Sequence, residues 1–220
     1  YNRIWFDSGE KVLSTRQTSL VVDPPDGRVP VRPEAEAKRD FNFARNADSY
    51  KYMSVWDRCL SRGIPGSMFP AGYNNAYRIL QVPGYVVILY EMIHDVRIIP
   101  LDGRPHVGSR VLQWMGDSRG HWDGQTLVVE TTHFNGKASY QSSAEDMHLI
   151  ERFTRVDADT IEYEYTVEDP ATYTRPWTAS LAMKPLDGEM YEFACHEGNY
   201  GMVGILSGAR ADETAAEASR

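Results

Sequence analysis

Residues Tyr85–Ile99, YVVILYEMIHDVRII, form the longest apolar run of the chain, interrupted by Glu91, His94, Asp95 and Arg97. Read as one β-strand, its side chains alternate between two faces. Tyr90, Met92 and His94 then share one face, and Glu91, Asp95 and Arg97 share the other. A central strand has no water on either side. The reading therefore expects one of these polar sets to face an interior pocket.

The residues after Gly84 read as further strands: Gln113–Met115, Gly120–Trp122, Thr126–Phe134, Met147–Val156, Thr160–Glu168, Trp177–Met183 and Met190–Cys195. In Thr160–Glu168, Ile161, Tyr163, Tyr165 and Val167 alternate with Glu162, Glu164, Thr166 and Glu168, the pattern of a strand with one wet face. Asp-Gly pairs at 26–27, 102–103, 123–124 and 187–188 read as hairpin turns. Upstream, an aromatic start (Tyr1–Phe6) precedes a strand at Ser19–Val22, a turn at Pro24–Gly27 and an edge piece at Val29–Val31.

Pro33–Arg45 reads as a surface helix, with proline at its first position and few apolar residues; a second short helix is expected over Ser54–Arg62. Residues 64–84 read as a loop or lid. The sum is a mainly β chain. Its expected form is an antiparallel barrel with one or two short N-terminal helices, a two-sheet sandwich being the alternative. One domain is expected over 1–210 (N-terminal strands and helices 1–63, barrel meander 85–210), with a disordered tail at 211–220.

The 220 residues are 42% hydrophobic, enough for one substantial core. A net charge of −8 repels phosphate backbones, so neither nucleic acid nor an anionic membrane is an expected partner. No stretch approaches the ~18–20 apolar residues of a membrane-crossing helix. No secretory leader is found, and the start at Tyr1 leads to the expectation of an upstream piece. Cys59 and Cys195 are either a disulfide or two buried thiols. Nothing in the sequence sets an oligomeric state.

The chemistry-bearing residues fall into groups. His94, with Tyr90, sits on the long run; Asp95 and Arg97 contact substrate, or Arg97 forms a plain ion pair with Asp95 or Glu91. His148 and Arg152 share a face of the run around MHLIERFTR, and His196, Glu197 and Asn199 end the last strand in a glycine-flanked rim. If the three strands are neighbours, His94, His148 and His196 form an acid/base site or a three-histidine metal site. No HxH or HExxH spacing supports the metal, so no metal and no cofactor is assigned. His106, His121 and His133 lie at turns or strand ends and read as surface residues. In the loop, Tyr73, Asn74, Asn75 and Tyr77 either bind ligand or satisfy their own backbone. There is no GxSxG elbow, Walker A loop or GxGxxG fingerprint.

Gly120-His121-Trp122 resembles the Gly-x-Trp motif of the lipocalins, although it lies mid-chain. The segments TSLVVDPPDGRVP, EMIHDVRIIPLDGRPH and ACHEGNYGM resemble a group of uncharacterised exported bacterial proteins. The first resemblance implies a lipocalin-like barrel. The second implies a secreted or periplasmic location, and so favours the Cys59–Cys195 bond. The expected function is an exported enzyme using cofactor-free acid/base chemistry in a barrel pocket, a lyase or dehydratase acting on a small organic or saccharide ligand. The alternative is a non-catalytic binding protein whose cavity is lined by Tyr163, Tyr165, Trp177 and Phe193.

Overall fold

A computed structural model describes residues 17–137 and 145–219. Among them lie strands β1 (Val21–Asp23), β2 (Tyr77–Val82), β3 (Tyr85–Tyr90), β4 (Val96–Pro100), β5 (Asp117–Asp123), β6 (Thr126–Thr132), β7 (His148–Asp157), β8 (Thr160–Glu168) and β9 (Trp177–Met183). The helices are α1 (Pro33–Ala44) and α2 (Tyr200–Ala218). Tyr1–Phe6 lies outside the described residues.

The long apolar run is a hairpin, not one strand. Ile93 and His94 take positive φ of 60° and 45°, which turns the chain back after β3. Glu91 is buried there, and its carboxylate accepts from the backbone N–H groups of Ala76 (3.3 Å) and Tyr191 (2.9 Å). The carboxylate thus ties the turn to the residue before β2 and to the segment after β9. The reversal changes every face assignment. Ile88 stands opposite Arg97 and Val86 opposite Ile99, so Tyr90 and Arg97 are both buried on the inner side.

Two sheets result, ordered β1-β9-β8-β7-β6-β5 and β2-β3-β4. Both are open. The end strands β1 and β5 do not pair with each other, so the expected lipocalin-like barrel is corrected to a mixed α/β architecture of two open sheets with two helices, nearer the two-sheet alternative. Gly120 has a packing role in place of a lipocalin one. A Cβ there would lie 2.8 Å from side-chain atoms of Ile99 and Leu101, so its absence lets the small sheet approach β5 closely. The next-but-one residue, Trp122, is exposed.

Val86, Ile88, Tyr90 and Ile99 of the small sheet share one core with Leu149, Tyr163, Tyr165 and Trp177 of the large one. The alternation of Thr160–Glu168 is as expected, with Tyr163, Tyr165 and Val167 buried. Their rings fill the interior: Phe153–Tyr163, Tyr163–Tyr165 and Tyr165–Trp177 centroids are 4.7, 5.5 and 5.7 Å apart. The barrel pocket is therefore corrected to a packed core, and Tyr165 and Trp177 are part of it. Both the pocket-based lyase and the cavity-based binding protein lose their site with it.

Smaller expectations also change. The lid region contains β2, which pairs with β3 along its full length. The tail is helical, because alanine-rich ADETAAEA is a strong helix former even without large apolar groups. Asn199 caps α2, accepting from Met202 N–H at 3.3 Å. Ser54–Arg62 forms turns only, and Met190–Cys195 is not a strand. Of the four Asp-Gly pairs, Asp123-Gly124 alone joins two paired strands. No helix among the described residues is long and apolar enough to cross a membrane.

Candidate functional site

β5 and β6 pair with Asp117 opposite Thr132 and Ser118 opposite Thr131. Strand alternation sends Ser118 and Thr131 to the inner face, and Asp117 and Thr132 to the other. A polar cluster forms on each side.

On the inner side, Arg97 reaches across from β4. Its Nε donates to Ser118 Oγ (2.9 Å), its Nη1 to Glu151 Oε1 (3.0 Å), and its Nη2 to Thr131 Oγ1 (2.7 Å) and to Glu151 Oε2. Tyr163 O–H donates to Glu151 Oε1 at 2.8 Å, and Ser118 and Thr131 hydroxyls are bonded at 3.0 Å. Burial opposes the charge on Arg97, but the Glu151 carboxylate outweighs it and keeps the guanidinium firmly protonated. Burial, reinforced by Glu151, raises the Tyr163 phenol. Tyr90, buried beside Arg97, is raised by burial as well.

On the other side, the loop after β4 brings in His106, and the residue after β6 is His133. His106 Nδ1 lies 2.8 Å from Asp117 Oδ2, which also accepts from Val107 N–H at 3.1 Å. Arg119 donates to Asp117 Oδ1 at 2.8 Å. The His106 and His133 rings stack with centroids 5.7 Å apart, and His133 Nδ1 bonds Thr132 Oγ1 at 2.6 Å. Burial pushes the Asp117 carboxyl up, yet bonds from His106, Val107 and Arg119 prevail and hold it below the ordinary aspartate range.

Local backbone geometry makes the approach feasible. Gly116 has φ of 68°, and a Cβ there would sit 2.6 Å from the Thr132 carbonyl oxygen. His133 itself has φ of 61°, and its carbonyl accepts from Gln113 N–H at 2.8 Å. Among the described residues, His106, Asp117 and His133 are the only group of three His, Cys, Asp or Glu side chains whose potential donor atoms all lie within 4.8 Å of one another.

The residues singled out from sequence are placed elsewhere. His94 is exposed on the hairpin turn, its Nδ1 3.3 Å from the Phe193 carbonyl. His148 pairs with Glu168 at 3.1 Å on the large sheet, and His196 and Glu197 are exposed before α2. The three histidines do not assemble a common donor set. Asp95 accepts from Ser61 Oγ at 3.0 Å, and burial raises its carboxyl although Ser61 and Arg62 partly offset this. Arg152 pairs with Asp123 at 3.1 Å. Asn75 bonds the Ala71 backbone through both amide atoms, Tyr73 stacks on Phe193, and Tyr77 meets Tyr90 edge-on. Asn74 is buried at positive φ. Cys59 and Cys195 form a disulfide, tying the turns before β2 to the segment that leads into α2. Of the predicted site residues, the structure brings Tyr90 together with Arg97 and Tyr77, and Tyr165 with Trp177, all within or against the packed core.

No family model matches the chain, and no curated protein or solved structure matches it. The resemblances to lipocalins and to exported bacterial proteins thus find no support in those comparisons, and the first is overturned by the open sheets.

Proposed function

We propose that His106, Asp117 and His133 hold one divalent transition-metal ion and that the protein is a metal-dependent enzyme of hydrolytic type. The observation that carries this is the convergence of the three donors within 4.8 Å. Tetrahedral bonds of about 2.0–2.2 Å put donors roughly 3.3 Å apart, so closing on an ion needs side-chain shifts on the order of 1 Å. Two imidazoles and a carboxylate suit zinc, iron or cobalt better than calcium or magnesium. Three protein donors leave an open position, the mark of catalytic rather than structural sites, where the ion polarises a bound oxygen. Val107 N–H and Arg119 support the carboxylate, and Thr132 supports one ring, as outer-shell groups commonly do. A small-molecule substrate reaches the ion from solvent, since the His106 side chain is 25% exposed. An oxidising location belongs to the same proposal, supported by the Cys59–Cys195 bond.

Metal-free protein titrated with Zn²⁺ and Co²⁺ by calorimetry tests this. One ion per chain is expected, and His133→Ala should weaken binding by more than the ~10–100-fold typical of outer-shell changes. Wild-type protein that takes up neither ion, or binding that survives unchanged in both His106→Ala and His133→Ala, sinks the reading.

A further inference from the structure

The outer site hangs on two strand ends that the inner cluster grips from behind. Ser118 follows Asp117 directly in β5, and Thr131 precedes Thr132 and His133. Ser118 and Thr131 are register partners, as are Asp117 and Thr132. The Arg97 guanidinium bonds both inner members of this square, at 2.9 and 2.7 Å, while Glu151 holds the remaining Nη1 and shares Nη2 with Thr131. Arg97 arrives from the other sheet, so its grip fixes the β5 and β6 ends against a support outside their own ladder. All three sites of anchorage are buried, which leaves the fork little freedom to relax.

We infer that Arg97 is a positioning residue for the His106–Asp117–His133 metal site, setting the spacing of Asp117 and His133 through Ser118 and Thr131. The inference rests on the metal reading above. A planar fork is needed for this work. Lysine supplies the same charge, but as a point ammonium it does not present the fork that engages Ser118, Thr131 and Glu151 together. The inner cluster touches neither ion nor substrate, so its influence runs through backbone placement alone.

Co²⁺ is the probe, because its visible absorption reports coordination geometry as well as occupancy. Arg97→Lys keeps a buried cation beside Glu151 and loses the fork. Thr131→Val is close in shape, leaves the guanidinium both bonds to Glu151, and removes the tie to β6. Each folded variant should bind Co²⁺ about 10–100-fold more weakly than wild type, the range typical of outer-shell changes. Each should also shift the visible bands, a readout that general loss of stability does not move. Binding with wild-type affinity and spectrum in Thr131→Val, or in folded Arg97→Lys, overturns the inference while the metal site stands. Failure of the wild-type protein to bind Co²⁺ and Zn²⁺ overturns the metal reading itself, and this inference with it.

Discussion

Two polar clusters lie back to back across β5 and β6, one residue apart on each strand. The inner one is closed. Arg97 is held at Glu151, Ser118 and Thr131, Tyr163 completes the Glu151 carboxylate, and the charged side chains are 3% and 0% exposed. The outer one is open: the His106 side chain is 25% exposed, and two imidazoles and a carboxylate crowd together. A saturated cluster has no valence left for a ligand and serves the fold. An unsaturated cluster at the solvent boundary can accept an ion. Burial alone does not separate the two clusters; exposure and the crowding of three potential ligands do.

The contrast predicts opposite responses to truncation. Glu151→Ala leaves the guanidinium buried and uncompensated, which costs about 3–5 kcal/mol. His106→Ala, at a partly exposed position, should cost less than about 1 kcal/mol. Urea midpoints of the two variants check this. Equal destabilisation would break the distinction between a fold cluster and a ligand cluster.

Much of the scaffold was legible in the sequence, for identifiable reasons. The Thr160–Glu168 alternation reports a half-wet strand because a period of two has one meaning there, and Pro33 marks the start of α1 because its missing N–H costs nothing at a first turn. The reversal at Glu91–Asp95 was hidden. No glycine or proline announces it, and the positive φ falls on Ile93 and His94. Reading through that turn put Arg97 on the wrong side of Tyr90 and made a pocket of what is a core. The outer site was hidden differently. His106, Asp117 and His133 are spread over a loop, a strand and a strand end, so no short spacing betrays them. Gly116 before Asp117 and a histidine directly after an apolar strand were the available signals, but each is common alone.

Gly116 sharpens the comparison at the next level of effect. Substitution by alanine forces a side chain into positive φ and against the Thr132 carbonyl at 2.6 Å. The loss should exceed the ~0.4–1 kcal/mol that an unstrained glycine-to-alanine change gains. It should fall on the outer site more than on the inner one: the β6 end moves and metal affinity drops, whereas the buried Arg97 cluster persists. Melting curves with and without Zn²⁺ read this directly. A variant stabilised by Zn²⁺ as much as wild type would show that the site does not need its close approach.

The smallest effect is the pH response of the outer site without metal. Asp117 titrates below the ordinary aspartate range in the folded protein: burial pushes it up, but the His106, Val107 and Arg119 bonds prevail. A depressed folded value means that the ionised form is favoured by folding. Its stabilisation is complete above the unfolded aspartate range and is lost as pH falls through the folded value. Asp117→Asn removes that term, so the wild-type and variant stability curves should converge in acid and separate toward neutrality. Arg97 and Tyr163 of the inner cluster give no such handle, because the Glu151 carboxylate beside Arg97 and the burial of Tyr163 raise both groups further from this window. Two curves that run parallel from acid to neutral pH would show that Asp117 gains nothing from its neighbours. The outer cluster would then differ from the inner one only in exposure, not in the bonds that prepare it for an ion.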